Sequence, residues 1–490
     1  MSQKLEKVKR FIIKHDELFF ILIFFIIIFG ITFYIKTVPE DEVWNFQNIY
    51  KIYNGYKIYI DANVITTPLF HLVGVIMFKL FGANFFIFKL YGVFINLFLM
   101  IGVYKIFKAL KIKKWLSLFF SSIIFVAEIN AINNTSNYNN LCLAISLFGI
   151  LIILNRNKYT DNKFIIIESI INFIILCTKQ NIGIFYLIGF IIYNIIYEKE
   201  IKKITNILKI LFINLILIII CMGILYNKGL LDGFISYAIL GIREFSQRNF
   251  AMEMLILKLI GITVIDLILI IYLNKKNMVK KEEIKSVNII TCFAFPFLMI
   301  SYPIFNVAHI DLSLFLMYIL LICIIYLIFL NIEFNNNIIN KLTIFIMILL
   351  SSISVLRTIL YFCEIDYNYK YNDVYFGSLL SNEYKNKIEN VTKYIENSEE
   401  NVIVFSTEAA LYMVPLNRSN GNMDEPLLGN FGKDGENGVI KEISEMVNTK
   451  IIINKEKKVY QESDKIIQYI KDNLDYVGEI EDLLIYQTKK

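Results

Sequence analysis

Long, continuous apolar runs dominate the first three quarters of this 490-residue chain. Most of them approach the roughly 20 residues that a helix needs to cross the hydrocarbon core of a bilayer. They lack the alternation of apolar and polar positions that marks a transmembrane β-strand. Because only helices and closed barrels satisfy the backbone in lipid, the pattern predicts an all-α polytopic membrane bundle. We expect about eleven transmembrane helices, at roughly residues 18–36, 86–106, 115–133, 141–154, 164–178, 183–197, 207–226, 254–273, 287–303, 312–330 and 342–361.

Composition agrees with this pattern. Hydrophobic residues make up 57% of the chain and charged residues 19%, whereas soluble domains carry about 25% charge. The first apolar run, Leu18–Ile35, follows a basic segment but has no small-residue cleavage site, so we interpret it as a retained span. The six cysteines are scattered without a Cys-x-x-Cys pair, which predicts neither a disulfide framework nor a zinc site.

The distribution of Lys and Arg predicts the orientation, because interior loops carry the excess of these residues. With a cytoplasmic N-terminus, the interior segments hold 23 Lys and Arg and the exterior segments hold 7. This count requires that residues 65–81 do not cross the membrane. We therefore expect a juxtamembrane or re-entrant helix there, with Pro68 in its first turn and Gly82 at its end. The alternative, a true second span, would reverse every later loop.

Eleven spans place the C-terminus outside the cell membrane. Residues 1–361 would form the transmembrane domain, with a first outer loop at 37–85, and residues 362–490 a small extracytoplasmic domain. The net charge changes from +14 in the first part to −8 in the second. Runs typical of strands alternate with helical patterns in the second part, which predicts an α/β domain. The expected strands are 401–406, 450–454 and 483–487, and the expected helices are 383–397, 438–448 and 461–473.

The first outer loop holds the chain's best candidate chemistry. Asp41 and Glu42 follow the first span and begin an amphipathic helix that we expect at 42–53. A carboxylate at the membrane surface can accept the proton of an attacking hydroxyl, which is general base catalysis. The alternative interpretation is that both acids only stabilise the helix N-terminus through its dipole.

Cationic residues on the outer side could bind a phosphate. Lys179 lies in a polar break between two closely spaced spans, where an ionisable residue is a functional candidate, although snorkelling to the interface is the alternative. Arg243 and Arg248 lie in a long outer loop, 227–253, which could hold an interfacial helix at about 230–245 or could simply be solvated. His309 is followed two residues later by Asp311, a pattern more typical of a structural pair than of a catalytic one.

The first outer loop resembles that of the GT-C glycosyltransferases, multispanning enzymes that use polyprenyl-phosphate sugars. Within that superfamily it is most similar to the bacterial family 39, or protein-mannosyltransferase, and aminoarabinose-transferase type. The resemblance is carried by Asp41-Glu42, Tyr53–Tyr56, Tyr59–Asp61, Thr67–Leu69 and Phe78–Gly82, although relatives often have a double proline where this chain has Thr67-Pro68.

This resemblance implies an inverting transfer with Asp41 as the catalytic base and Glu42 in support. It also implies no cofactor beyond the lipid-linked donor, and the chain lacks the Asp-x-Asp pattern of metal-dependent relatives, so we expect no metal. The candidate substrate-binding residues are Lys179, Arg243, Arg248, His309, Tyr56 and Asp61.

We therefore predict a multi-pass cell-membrane glycosyltransferase. Its partners would be a polyprenyl-phosphate sugar, a glycan, lipid or protein acceptor, and membrane lipid, but no nucleic acid; the oligomeric state stays open. A polysaccharide flippase is the alternative, but transporters favour internal repeats and midplane sites, which the sequence does not show. A third possibility is a membrane scaffold that presents the acidic C-terminal domain.

Overall fold

The chain folds into a helical bundle followed by a small domain that contains a mixed β-sheet. This computed structural model describes residues 16–34, 39–127, 137–198, 200–241, 253–275, 281–302, 307–328, 373–380, 382–459 and 461–489, with a few single positions between 345 and 360. The helices of the bundle and its loops are α1 (Asp16–Phe33), α2 (Trp44–Tyr53), α3 (Leu69–Phe81), α4 (Phe85–Ala109), α5 (Lys114–Ala127), α6 (Tyr138–Leu154), α7 (Asp161–Thr178), α8 (Gln180–Tyr197), α9 (Glu200–Asn227), α10 (Leu231–Leu240), α11 (Glu253–Lys275), α12 (Lys281–Phe297) and α13 (Val307–Ile328).

Apolar helices occupy the predicted spans wherever the structure describes them. Six described segments are long and apolar enough to cross a membrane, and α1, α3, α5, α6 and α10 hold shorter apolar segments. The six are Phe85–Ala109, Gln180–Tyr197, Lys202–Asn227, Ile256–Asn274, Lys281–Ser301 and His309–Ile328. The total of eleven spans stays a prediction, because most of residues 342–361 lie outside the described part of the chain.

The predicted helix within 65–81 is confirmed as α3. Pro68 is its N-terminal cap residue, and Gly82 ends it at a backbone φ of +104°. With 13 residues, α3 is about 20 Å long and is shorter than the roughly 30 Å hydrocarbon core. It packs against α2 at Gly74, where a Cβ atom would lie 2.4 Å from Cδ1 of Ile49. The length of α3 therefore suits a juxtamembrane position.

The C-terminal part forms a four-stranded mixed sheet flanked by helices. Its strand order is β1-β2-β4-β3, with β1 and β2 parallel and the other pairs antiparallel. The elements are α14 (Asn382–Glu396), β1 (Asn401–Phe405), α15 (Ala409–Met413), α16 (Gly435–Glu445), β2 (Thr449–Asn454), α17 (Asp464–Asn473), β3 (Asp475–Ile480) and β4 (Leu483–Gln487).

One hydrophobic core joins the two parts of the chain. Apolar residues of α2, α3 and α4 pack in a single cluster with residues of α14, α15 and the sheet, including Phe46, Phe85, Ala410 and Val404. A second core lies wholly within the C-terminal domain, between the other face of the sheet and α16 and α17. The C-terminal domain is therefore built onto the first outer loop through shared packing.

Several expectations need correction. β3 was not predicted, and α16 lies three residues earlier than the expected 438–448. His309 and Asp311 belong to the first turns of α13, because this helix begins at Val307, and not to a loop that ends at residue 311. The boundary between residues 361 and 362 lies outside the described residues and stays a prediction.

Candidate active site

Asp41 lies in a π-helical turn, Pro39–Val43, which leads directly into α2. Its side chain is exposed, and its backbone φ is +56°, in the left-handed region that few residues other than glycine occupy. Such conformations persist only where the surrounding structure fixes them, and they concentrate at functional sites. The turn thus presents one carboxylate at the surface of the bundle.

Glu42, the next residue, points into the protein. Its exposed fraction is 5%, and its charge interacts favourably with that of Lys89 on α4. Lys89 is itself buried, and its Nζ donates a hydrogen bond to the carbonyl oxygen of Phe33 at 3.3 Å. The two adjacent acids therefore occupy different environments, Asp41 outside and Glu42 inside.

Lys179 is the single residue between α7 and α8, and the fold brings it close to Asp41. Its Nζ donates a hydrogen bond to Oδ1 of Asn139 at 2.7 Å and lies 5.0 Å from the ring centre of Tyr138. Burial lowers the pKa of Lys179 to about 8, although the nearby charge of Asp41 favours its protonated form. A half-buried cation thus lies near the exposed carboxylate of Asp41, although the two residues are distant in sequence.

Glu425 of the C-terminal domain lies within range of the charge of Asp41. Burial raises its pKa to about 8; a hydrogen bond from Asn48 opposes the shift, and the negative charges of Asp424 and Asp41 add to it. The Nδ2 atom of Asn48 donates to Oε1 of Glu425 at 2.8 Å. Near neutral pH, Glu425 is therefore mostly protonated, which avoids a second negative charge next to Asp41.

Asp424 has a charged partner where Glu425 has only amides. Its carboxylate forms a buried ion pair with Lys51 of α2 and accepts a hydrogen bond from Nε2 of Gln47 at 2.8 Å. Burial raises the pKa of Asp424, and the ammonium of Lys51 opposes that shift. Neither acid was predicted as part of the site, because both lie in a polar segment that resembles an ordinary loop.

Tyr56 and Asp61, expected as substrate contacts, attach the outer loop to the C-terminal domain. The hydroxyl of Tyr56 donates to the carbonyl oxygen of Asn417 at 2.6 Å. The carbonyl oxygen of Asp61 accepts hydrogen bonds from Nζ of Lys51 at 3.2 Å and from Oγ of Ser419 at 2.8 Å. These contacts fix the loop, and a role in substrate binding stays a prediction.

The remaining expected contacts lie elsewhere or outside the described residues. Asp311, two residues after His309, pairs with Nζ of Lys258 on α11 at 2.6 Å. Arg243 and Arg248 are not among the described residues. The loop that carries them starts beside the α7–α8 break, because Gln180 there donates to the carbonyl oxygen of Ala238 in α10 at 2.8 Å.

The described residues contain no group of three His, Cys, Asp or Glu side chains placed to hold a metal ion. A reaction without a metal stays a prediction. The site residues that were not predicted from the sequence share one property. Each is an ordinary polar side chain that belongs to the site through a contact with a residue far away in sequence. They are Asn48, Tyr138, Asn139, Asp424 and Glu425.

Sequence comparison finds no matching protein-family model and no matching curated protein. Solved structures do match over nearly the whole chain. ArnT from Cupriavidus metallidurans in its apo state aligns with a TM-score of 0.56 and 10% identity, over 97% of this chain and 98% of that one. This chain has the GT-C fold.

Two further structures agree with this assignment. ArnT from C. metallidurans bound to undecaprenyl phosphate gives a TM-score of 0.55 at 10% identity, covering 96% of this chain and 97% of that one. The Archaeoglobus fulgidus oligosaccharyltransferase, in complex with zinc and sulfate, gives 0.51 at 9% identity, covering 96% of this chain and 73% of that one. The expected resemblance to GT-C glycosyltransferases is confirmed at the level of the fold.

Proposed function

We propose that this chain is a membrane glycosyltransferase that moves a sugar from a polyprenyl-phosphate donor to a cell-envelope acceptor on the outer face. The observation that carries the proposal is that half-buried Lys179 lies near enough to exposed Asp41 for their charges to interact. This pair combines a proton acceptor with a cation that can neutralise a phosphate. The GT-C fold, which this chain shares with an ArnT structure bound to undecaprenyl phosphate, supports it.

The proposed reaction is a single displacement at the anomeric carbon of the donor. The acceptor oxygen forms a bond to that carbon, and the bond from the carbon to the phosphate oxygen breaks. Asp41 takes the proton of the acceptor hydroxyl, and polyprenyl phosphate leaves with an additional negative charge. Lys179 offsets that charge as it develops, which lowers the barrier. Attack opposite the leaving phosphate inverts the anomeric configuration.

The membrane arrangement follows from the same proposal. With a cytoplasmic N-terminus, the first outer loop and the C-terminal domain lie outside, and α3 lies at the membrane surface. This places Asp41 and Lys179 at the depth of lipid phosphates. The lipid-linked donor could then reach the site from the outer leaflet, and a hydrophilic acceptor could approach from the aqueous side beneath the C-terminal domain.

The decisive experiment is to test the Asp41→Asn variant of the purified protein in lipid nanodiscs. Wild-type protein is first screened against undecaprenyl-phosphate glucose, mannose and aminoarabinose, with cell-envelope extract as the acceptor and release of undecaprenyl phosphate as the readout. We expect the substitution to lower turnover of the accepted donor by about 10²–10⁴-fold, since general base catalysis contributes that much.

A matched control is Asp232→Asn, which removes another exposed aspartate on the outer side, in α10. It should leave turnover unchanged. Full activity of a well-folded Asp41→Asn protein would refute the assignment of the base. Transport of the lipid-linked sugar without transfer would favour the flippase alternative.

A further inference from the structure

The C-terminal domain holds the polar face of α2, the helix that follows Asp41. Gln47, Asn48 and Lys51 lie on this face, and each is nearly fully buried. All three donate hydrogen bonds to two adjacent acids of the C-terminal domain, Asp424 and Glu425. Since α2 is only 10 residues long, these contacts engage half of it, from Gln47 to Lys51.

The acids are themselves fixed by their own domain. Asn430 donates from Nδ2 to Oε2 of Glu425 at 3.3 Å, and the backbone amide of Asn420 donates to Oδ1 of Asp424 at 3.2 Å. Asn63 of the outer loop donates to the carbonyl oxygen of Glu425 at 3.3 Å. The two carboxyl groups therefore form a rigid platform for α2.

The attachment extends to the turn that carries Asp41. Trp44, the first residue of α2, donates from Nε1 to the carbonyl oxygen of Thr407 at 3.1 Å. Val43, two residues after Asp41, packs in the core that also contains Ala409 and Ala410 of α15. The C-terminal domain thus contacts the segment from Val43 to Lys51. Asp41 lies two residues before this segment.

Stability alone does not explain this arrangement. Burying acids and amides is costly, and apolar residues would join the two domains at lower cost. Directional hydrogen bonds fix orientation more strictly than apolar contacts do. Asp41 requires such a constraint, because its left-handed backbone conformation must be maintained by its surroundings.

We propose that Asp424 and Glu425 are positioning residues, which set the orientation of the Asp41 carboxylate through α2. This inference rests on the proposed function, in which Asp41 is the catalytic base. It makes the C-terminal domain a structural part of the active site, although its acids lie far from Asp41 in sequence. The donor and the acceptor need not touch either acid.

The first test measures the position of α2 without any substrate. Hydrogen–deuterium exchange is recorded for the full-length protein in nanodiscs, comparing wild type with Glu425→Ala. We expect the amides of residues 39–53 to exchange about tenfold faster in the variant, because Asn48 loses its buried acceptor. Exchange in α17 should not change.

The matched control is Glu462→Ala. Glu462 is another buried glutamate of the C-terminal domain, but it accepts its hydrogen bond from Asn454 within that domain. Its removal should leave residues 39–53 protected. If Glu425→Ala cannot be recovered folded, Asn48→Ala removes the same hydrogen bond from the side of α2 and carries the same expectation.

The second test separates positioning from a purely structural role by kinetics. With the undecaprenyl-phosphate sugar that gives turnover, Glu425→Ala should lower kcat by about 10²-fold, the effect of a misplaced catalytic group, and leave KM nearly unchanged. Glu425→Gln should restore most of kcat, because its amide oxygen can still accept from Asn48. A general loss of stability would not be rescued selectively in this way.

The outcomes separate this inference from the proposed function. If Asp41→Asn is inactive but Glu425→Ala matches Glu462→Ala in exchange and kcat, the positioning inference is wrong and the base assignment survives. If Asp41→Asn is fully active, the base assignment fails. The exchange of residues 39–53 then still decides whether the acid pair fixes this segment.

Discussion

Two lysines near the candidate site, Lys51 and Lys179, have very different charge environments. Lys51 forms an ion pair with Asp424 and donates further hydrogen bonds to Ser419 and to the carbonyl oxygen of Asp61. Lys179 donates to the neutral side chain of Asn139 and lies over the ring of Tyr138. Within the described residues, no carboxylate forms an ion pair with Lys179.

The same contrast separates the two acids of the platform. Asp424 has a cation, whereas the carboxyl group of Glu425 is bound by amides. Lys51 and Asp424 compensate each other, whereas, among the described residues, Lys179 has only the nearby charge of Asp41 and Glu425 has only amide partners. The ion pair of Lys51 and Asp424 suits a contact that holds the two parts of the chain together. Lys179, which forms no ion pair within the described residues, suits a site that binds an anion, since a bound phosphate would supply an ionic partner.

Of the two lysines, Lys179 should have the larger effect on activity when it is replaced. We expect Lys179→Met to lower turnover by about 10²–10³-fold, the typical effect of losing one group that stabilises developing negative charge. Folding should be unaffected or improved, because the substitution removes a half-buried charge that forms no ion pair within the described residues. The matched control is Lys57→Met, at an exposed lysine of the first outer loop. Equal activity of both variants would contradict the assignment of Lys179.

Replacing Lys51 should instead affect stability. We expect Lys51→Met to lower the free energy of unfolding by about 3–5 kcal/mol, because Asp424 is left as an unpaired buried acid. The double variant Lys51→Met/Asp424→Leu should recover most of that loss, since it removes both charges. Unfolding in mixed detergent micelles measures these differences. If the double variant were less stable than either single variant, the Lys51–Asp424 ion pair would not be what stabilises the contact between α2 and the C-terminal domain.

Most of the fold could be predicted from the sequence, because a segment that crosses lipid must be a long apolar helix. Apolar runs of membrane length indicate helices in any context, and Pro68 and Gly82 mark the ends of α3 through their backbone preferences. The exposed edge strand β3, in contrast, was not predicted from the sequence. Its sequence, Asp-Tyr-Val-Gly-Glu-Ile, is mostly solvent-exposed, contains a glycine and pairs irregularly with β4, so it gives a weak strand signal.

The candidate site was predictable only in part. Asp41 stands out because few groups on the outer side can act as a base, and Lys179 stands out because it interrupts two apolar helices. Asp424 and Glu425 carry no such local signal. Their role depends on contacts with residues 377 positions earlier, and neither periodicity nor composition encodes a pairing at that separation.

The weak compensation of Lys179 also predicts a pH dependence. Its amine binds phosphate only when protonated, and burial lowers its pKa to about 8. Affinity for undecaprenyl phosphate should therefore fall by up to about tenfold per pH unit above that pH. Lys179→Arg should bind with little change across this range, because arginine stays charged. A wild-type affinity that is constant up to pH 10 would contradict this prediction.

Glu425 should affect the stability of the protein, in a different pH window. Its pKa is raised from the ordinary 4.5 to about 8, so the folded protein holds the proton more tightly than the unfolded chain does. The resulting stabilisation is complete below about pH 4.5 and is lost as the pH rises to about 8, at no more than about 1.4 kcal/mol per pH unit. Glu425→Gln cannot ionise, so its stability should fall less steeply than that of wild type between these values. Parallel curves for the two proteins would mean that Glu425 is already ionised in the folded state and that its charge, like that of Asp424, is compensated.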